Sequence, residues 1–136
     1  MSQSVESKTF GALVTFLQQT QRAAESALAD EPVSASQFFI LQTLEREPGL
    51  TQVALANRLG VTAGNVSQLI AKLEAEGFVT RTGAGKALHV SLTRSGQSLV
   101  SRLVPTHEAF LRERFSALSR AEGRQLLSLV ERLVGR

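Results

Sequence analysis

The chain contains no cysteine, no tryptophan and no tyrosine. Without a thiol it has no disulfide, no thiolate nucleophile, no thiolate-bound metal and no cysteine redox switch. That composition fits a reducing compartment. Seven phenylalanines are the only aromatic residues, so the Trp and Tyr anchors typical of binding hot spots are missing. No run of about 18 apolar residues is present, which leaves no candidate for a membrane-spanning helix. The polar start from Met1 to Lys8 does not have the character of a secretion signal.

What is present suits one compact domain of 136 residues with an ordinary globular balance, 43% hydrophobic and 20% charged. The net charge of +3 is unevenly spread. Residues 1–50 carry three basic and six acidic side chains. Residues 51–94 carry five basic ones (Arg58, Lys72, Arg81, Lys86, Arg94) against Glu74 and Glu76, and residues 95–136 carry seven against four. A basic middle segment suits a polyanion, and it equally suits a solvated basic face.

Hydrophobic periodicity divides the chain. Phe10, Leu13, Val14, Leu17, Ala24 and Leu28 recur at helical spacing and predict a first helix over about Ser7 to Leu28, stopped by Asp30-Glu31-Pro32. Ser34 and Gln37 form a capping box for a second helix with Phe38, Leu41 and Leu44 on its buried face. Thr51 caps a third, with Val53, Leu55, Ala56 and Leu59 apolar and Gly60 placed to end it in a left-handed conformation. Thr62 is the cap candidate of a fourth, whose apolar positions are Val66, Leu69, Ile70 and Leu73 before Gly77. The period then falls to two: Phe78 to Thr82 and Leu88 to Leu92 read as strands joined by a turn at Gly83-Ala84-Gly85. Helical spacing returns from Thr93 through Phe110, Leu111, Phe115 and Leu118, with a kink expected at Pro105. A second capping box, Ser119 and Glu122, opens a last helix containing Leu126, Leu127, Val130, Leu133 and Val134.

The informative stretch is Leu50 to Thr93. Two helices joined by Leu59-Gly60-Val61-Thr62 have the spacing of a helix-turn-helix, and a hairpin follows at once. The second of these helices offers Ala63, Gly64, Asn65, Ser67, Gln68 and Lys72 away from its apolar face. Small residues permit close approach to DNA, amides and hydroxyls address base edges, and a cation meets phosphate. The helix N-terminus also favours a phosphate. An ordinary solvated helix face is the competing reading. The hairpin, with Arg81, Lys86 and His89 around its turn, favours DNA.

Residues 50–96, beginning LTQVALANRLGVTAGNVSQLIAKLEAEGFVTR and closing on LHVSLTRSG, resemble the core of the MarR family of transcription regulators. The matching features are Leu55-Ala56, the turn Gly60-Val61-Thr62, the ending Leu73-Glu74…Gly77-Phe78 with Arg81 after it, and the exit Leu92-Thr93…Gly96. The resemblance implies a mainly α winged helix-turn-helix fold with a small β-hairpin wing. It implies a cytoplasmic homodimer whose N- and C-terminal helices intertwine, residues 1–30 and 97–136 for dimerisation around a DNA-binding lobe at 34–96. The apolar stripes of the outer helices suit that role, and they also suit packing within one chain. The implied partner is double-stranded DNA with a pseudo-palindromic operator, and the implied activity is repression released by a small aromatic effector. No cofactor and no metal is implied. One departure stands out: the family's Asp-x-Arg wing falls on Ala84-Gly85-Lys86, so a point charge replaces a rigid fork.

The candidate site residues are therefore Asn65, Ser67 and Gln68 for bases, with Ala63 and Gly64 at the close approach. Thr62, Lys72, Arg81 and Lys86 are candidates for phosphate or the wing, and Arg58 assists from the third helix. Phe16, Phe38, Phe39 and His107 are candidates to border an effector pocket, with core packing the competing role for the phenylalanines. His89 reads as an outward, structurally neutral strand residue. Glu74 and Glu76 do not stack on one helix face and make a poor acid/base pair. Gly83 to Lys86 lacks the spacing of a phosphate loop. A winged-helix protein-interaction module that has lost DNA affinity is the alternative function. An enzyme is disfavoured, because no nucleophile–base pair, metal cluster or cofactor loop is legible.

Overall fold

The computed structural model describes residues 2–59 and 63–135. They form two compact units divided between Leu103 and Val104. The first contains α1 (Val5–Ala27), α2 (Ala35–Arg46), α3 (Gln52–Leu59), α4 (Ala63–Ala75), β1 (Val79–Thr82), a 3-10 turn (Gly85–Ala87), β2 (His89–Leu92) and the start of α5 (Arg94–Arg114). The second contains the remainder of α5 and α6 (Arg120–Val134). The mainly α architecture with a two-stranded hairpin is the expected one.

Local signals account for most boundaries. Ser4 caps α1, accepting from the Ser7 N–H at 3.0 Å, so the helix begins two residues before the expected start. At α2, the Ser34 hydroxyl accepts from Gln37 N at 3.1 Å while Gln37 Oε1 accepts from Ser34 N at 2.9 Å, the complete box. Val33 and Phe38, buried on either side of that cap, occupy the positions of a hydrophobic staple. Thr51 Oγ1 accepts from Ala54 N at 3.1 Å. Ser119 and Glu122 close the second box at α6. The expected left-handed ending at Gly60 and cap at Thr62 lie outside the described residues.

The core of the first unit is formed by Phe38, Ile40 and Leu41 of α2, Leu55 of α3, Val66, Ile70 and Leu73 of α4, Val79 and Val90 of the hairpin, and Val100 of α5, all fully buried. Each such side chain contributes about 1.5–3 kcal/mol of burial free energy, which fixes α4 against the body from one side. Val53 departs from expectation: it is exposed, because the buried stripe of α3 is carried by Leu55 and Ala56.

The hairpin is antiparallel, pairing Val79 with Leu92, Thr80 with Ser91, Arg81 with Val90 and Thr82 with His89. Each strand is one residue shorter than the period-two reading. The connection is also more than a Gly-Ala-Gly turn: Gly83 adopts φ 94° and a 3-10 turn follows it. A Cβ at Gly83 would run into the carbonyl oxygen of Ala87, so the loop needs glycine there for both conformation and space. The segment before α3 joins the sheet, Val90 N donating to Leu50 O at 3.0 Å and Gln52 N to Leu88 O at 2.8 Å. The hairpin is thereby tied to the first turn of the helix-turn-helix.

Helix α5 continues through Pro105, so the proline does not divide the element in two. From Val104 onward no described residue is buried. Phe115, Leu118, Leu127, Leu129, Leu133 and Val134 are exposed, Leu133 to 71%, and on α1 Phe10 is exposed to 70% and Leu17 to 63%.

Candidate nucleic-acid interface

The candidate interface is centred on α4, whose two sides are chemically distinct. Val66, Ile70 and Leu73 recur every three or four residues and are fully buried. Away from this stripe Gly64, Asn65, Gln68, Ala71 and Lys72 are exposed, and Ser67 and Leu69 are half-buried. The 3.6-residue period thus sorts one helix into an anchoring stripe and an outer stripe of small, amide and cationic groups. Asn65, Gln68 and Lys72 lie exposed on this one element, with Ser67 half-buried at its flank. Ala63 opens the same helix. Thr62 lies outside the described residues.

The cations around α4 differ in their engagement. Lys72 and Lys86 are exposed, and Lys86 sits in the 3-10 turn at the hairpin tip. Arg58, at the end of α3, holds Glu47 through Nη2–Oε1 at 2.7 Å and Nε–Oε2 at 3.1 Å. The side-chain hydrogen bond to Arg58 holds the Glu47 carboxyl below its ordinary range, and Glu47 correspondingly raises Arg58. Arg81 lies on the inner face of the hairpin, paired with buried Val90, and its guanidinium is held by Glu74 of α4. Its remaining edge approaches Gln52 Oε1 of α3 at 3.4 Å. Neither Glu74 nor Gln52 was singled out from the sequence as a partner. The available signal was an acidic residue in the last turn of a helix, where the dipole disfavours it.

His89 faces outward as expected, but it is not structurally neutral. Its Nδ1 lies 2.9 Å from Gly49 O, joining β2 to the turn before α3. The C-terminal end of α4 is fixed by the exit segment: Thr93 Oγ1 donates to Gly77 O at 2.6 Å and accepts from Gly96 N at 3.1 Å, while Thr93 N donates to Phe78 O at 3.0 Å. Of the pocket candidates, Phe38 is fully buried in the core, Phe39 of the same helix is 48% exposed, and Phe16 is half-buried. His107, in the second unit, stacks on Phe110 with ring centroids 6.0 Å apart.

Among the described residues no cluster of His, Asp or Glu could hold a metal ion, and no helix is long and apolar enough to cross a membrane. A shallow cleft of about 190 Å³ lies beside the hairpin base between Leu44, Pro48, Gly49 and Leu92, and its Glu45 and Gln97 bond each other at 2.9 Å.

Comparison with known proteins agrees with this geometry. Residues 32–87 match the model of the MarR family. A helix-turn-helix-type transcriptional regulator of Bacillus cereus is 29% identical over 115 residues, covering 85% of this chain and 78% of the relative. Among solved structures, a MarR transcriptional regulator from Methanosarcina mazei Go1 superposes with a TM-score of 0.86 at 22% identity, covering 97% of this chain and 96% of that one. BpsR of Bordetella bronchiseptica, whose DNA binding is regulated by 6-hydroxynicotinic acid, superposes with a TM-score of 0.84 at 19% identity, covering 100% of this chain and 99% of its own. These relatives are transcription regulators rather than enzymes. With its two-sided α4 and adjoining hairpin, the chain belongs to the MarR family of DNA-binding, winged-helix transcription regulators.

Proposed function

We propose that the chain acts in the cytoplasm as a homodimeric, sequence-specific repressor that reads a pseudo-palindromic operator with one α4 per half-site. The observation that carries this reading is the division of α4: Val66, Ile70 and Leu73 anchor it, leaving Asn65, Gln68 and Lys72 outward. Asn65, Ser67 and Gln68 address base edges, with Gly64 and Ala63 allowing the helix to sit deep in the major groove. Lys72 and Thr62 meet phosphate at the groove edge. Lys86 carries the wing contact as a point charge, with less geometric selectivity than a guanidinium.

Pairing of two copies is supported by the apolar side chains that remain exposed on α1 and α6, since surfaces of this kind mark contact sites. Two-fold symmetry sets the two α4 helices about one DNA turn, roughly 34 Å, apart. A small aromatic effector, by analogy with the regulation of BpsR by 6-hydroxynicotinic acid, releases the operator if it binds one placement of the two recognition helices more tightly than the other.

Selection of bound sites from random duplex DNA tests the reading. An enriched inverted repeat with half-sites one turn apart is the expected result. Failure to enrich any sequence, with no salt-dependent retention of mixed duplex, favours the protein-interaction module to which the arginine-free wing tip also conforms.

A further inference from the structure

Glu74 occupies the last turn of α4, where the helix dipole presents its negative end and a carboxylate is disfavoured. It also adds negative charge to the lobe that meets a polyanion. Both costs call for a compensating role, and the structure supplies one. Three donors of Arg81 converge on this single carboxylate: the backbone N–H at 3.2 Å from Oε2, and Nε and Nη2 at 3.2 and 3.1 Å from Oε1. Nη1 points to Gln52 Oε1 at 3.4 Å. One guanidinium therefore joins the end of the recognition helix, strand β1 and the first residue of α3. The strand register places Arg81 on the face shared with buried Val79 and Val90, and its side chain is only 23% exposed.

We propose that Glu74 and Arg81 are a positioning pair for DNA binding: they set the angle between the hairpin and the recognition helix, and Arg81 does not spend its charge on a phosphate. The inference rests on the DNA-binding reading above and deepens it. It also reverses an electrostatic expectation. If Arg81 were a phosphate contact, neutralising Glu74 would free it and remove a repulsive charge, and binding would tighten. If the pair positions the wing, neutralising Glu74 weakens binding although the protein becomes more basic.

The test uses the full chain, a selected operator duplex and a salt series, with thermal melts confirming that each variant is folded. Glu74→Gln is nearly isosteric and is expected to weaken binding roughly two- to fivefold, the range of a lost, partly exposed ion pair. Arg81→Gln is expected to weaken it similarly with an unchanged salt slope, whereas loss of a phosphate contact lowers the slope by about 0.9 for each phosphate. Arg81→Lys keeps the charge but loses the fork, and is expected to bind as poorly as Arg81→Gln. The double variant Glu74→Gln with Arg81→Gln is expected to lose no more than either single change. Equal or tighter binding by Glu74→Gln, a reduced slope in Arg81→Gln, wild-type affinity in Arg81→Lys, or additive losses would each overturn the proposal. Should the wild-type chain bind no duplex at any salt concentration, the DNA-binding reading falls and this one with it. Binding by wild type combined with any of the other four results overturns the positioning role alone.

Discussion

One α-hydrogen of Gly96 faces the carbonyl oxygen of Phe78 so closely that a Cβ in its place would overlap it. The opening turn of α5 is thereby pressed against the end of α4, with Thr93 bonding both Gly77 and Gly96 in the same place. This contact supplies a physical reason for the Leu-Thr-x-x-Gly pattern. Glycine is needed for proximity, and threonine for a side chain that donates to one element while capping the next.

Gly96→Ala is therefore expected to destabilise the fold by about 1–3 kcal/mol, the usual cost of forcing volume into a packed contact. Gly64→Ala is the matched control, because nothing lies within 4 Å of a Cβ there. It should raise stability by up to about 1 kcal/mol through the backbone entropy of the unfolded chain, while reducing DNA affinity if the helix sits deep in the groove. Urea denaturation of both variants, alongside a binding isotherm for Gly64→Ala, checks the pair.

Lys72→Ala should weaken binding to preferred and random duplexes alike and lower the salt slope by about 0.9 for each phosphate released. Gln68→Ala should instead redistribute preference among sites at one base-pair position in each half-site, with little change in slope. Fluorescence anisotropy across a salt series, with the selected operator and its single-base variants, separates the two outcomes. Identical behaviour of both variants and wild type would remove α4 from the interface.

The exposed apolar residues of α6 should control association. Leu127→Glu is expected to shift sedimentation at micromolar concentration from dimer to monomer and to abolish cooperative operator binding, leaving weak salt-dependent binding to single half-sites. A wild-type chain that sediments as a monomer would count against the paired architecture.

Stability should fall in mild acid. Hydrogen bonds from Arg102 and Arg58 hold the Glu31 and Glu47 carboxyls below the ordinary value of 4.5, and Glu122 is lowered by its bonds with Ser119. A carboxyl depressed in the folded state contributes stability that is complete above its unfolded value and disappears as pH falls through its folded value. The loss should therefore begin near pH 4.5 and continue below it. Thermal melts from pH 7 to pH 3 test the window, and Glu31→Gln should flatten the profile, since the residue no longer titrates.

How much of this was legible in the sequence follows from the range of each interaction. The boxes at Ser34 and Ser119 and the buried stripe of α4 depend on residues three or four apart, and the pattern alone places them. Val53 was misjudged because α3 is only eight residues long, too short for its period to distinguish two adjacent stripes. The bond from His89 to Gly49 spans 40 positions, and that from Arg81 to Gln52 spans 29. Such partners become neighbours only once the hairpin folds back on α3. Glu74, which the sequence marks only as a poor acid/base partner for Glu76 and a match to the family pattern, acquires its role in the same way. The 3-10 turn at Lys86 escaped because two nearby glycines permit many turn geometries; the one adopted is closed by Ala87 N donating to Ala84 O at 3.1 Å and Leu88 N to Gly85 O at 3.2 Å.

The partition of α4 also bears on how such a regulator diversifies. Positions 66, 70 and 73 answer to the interior, while the exposed positions 68 and 72 answer to whatever lies outside. Substitutions at the second pair are expected to leave folding nearly untouched. On the proposed reading, a duplicated gene can drift toward a new target sequence through outward substitutions alone, inheriting an intact scaffold from its parent.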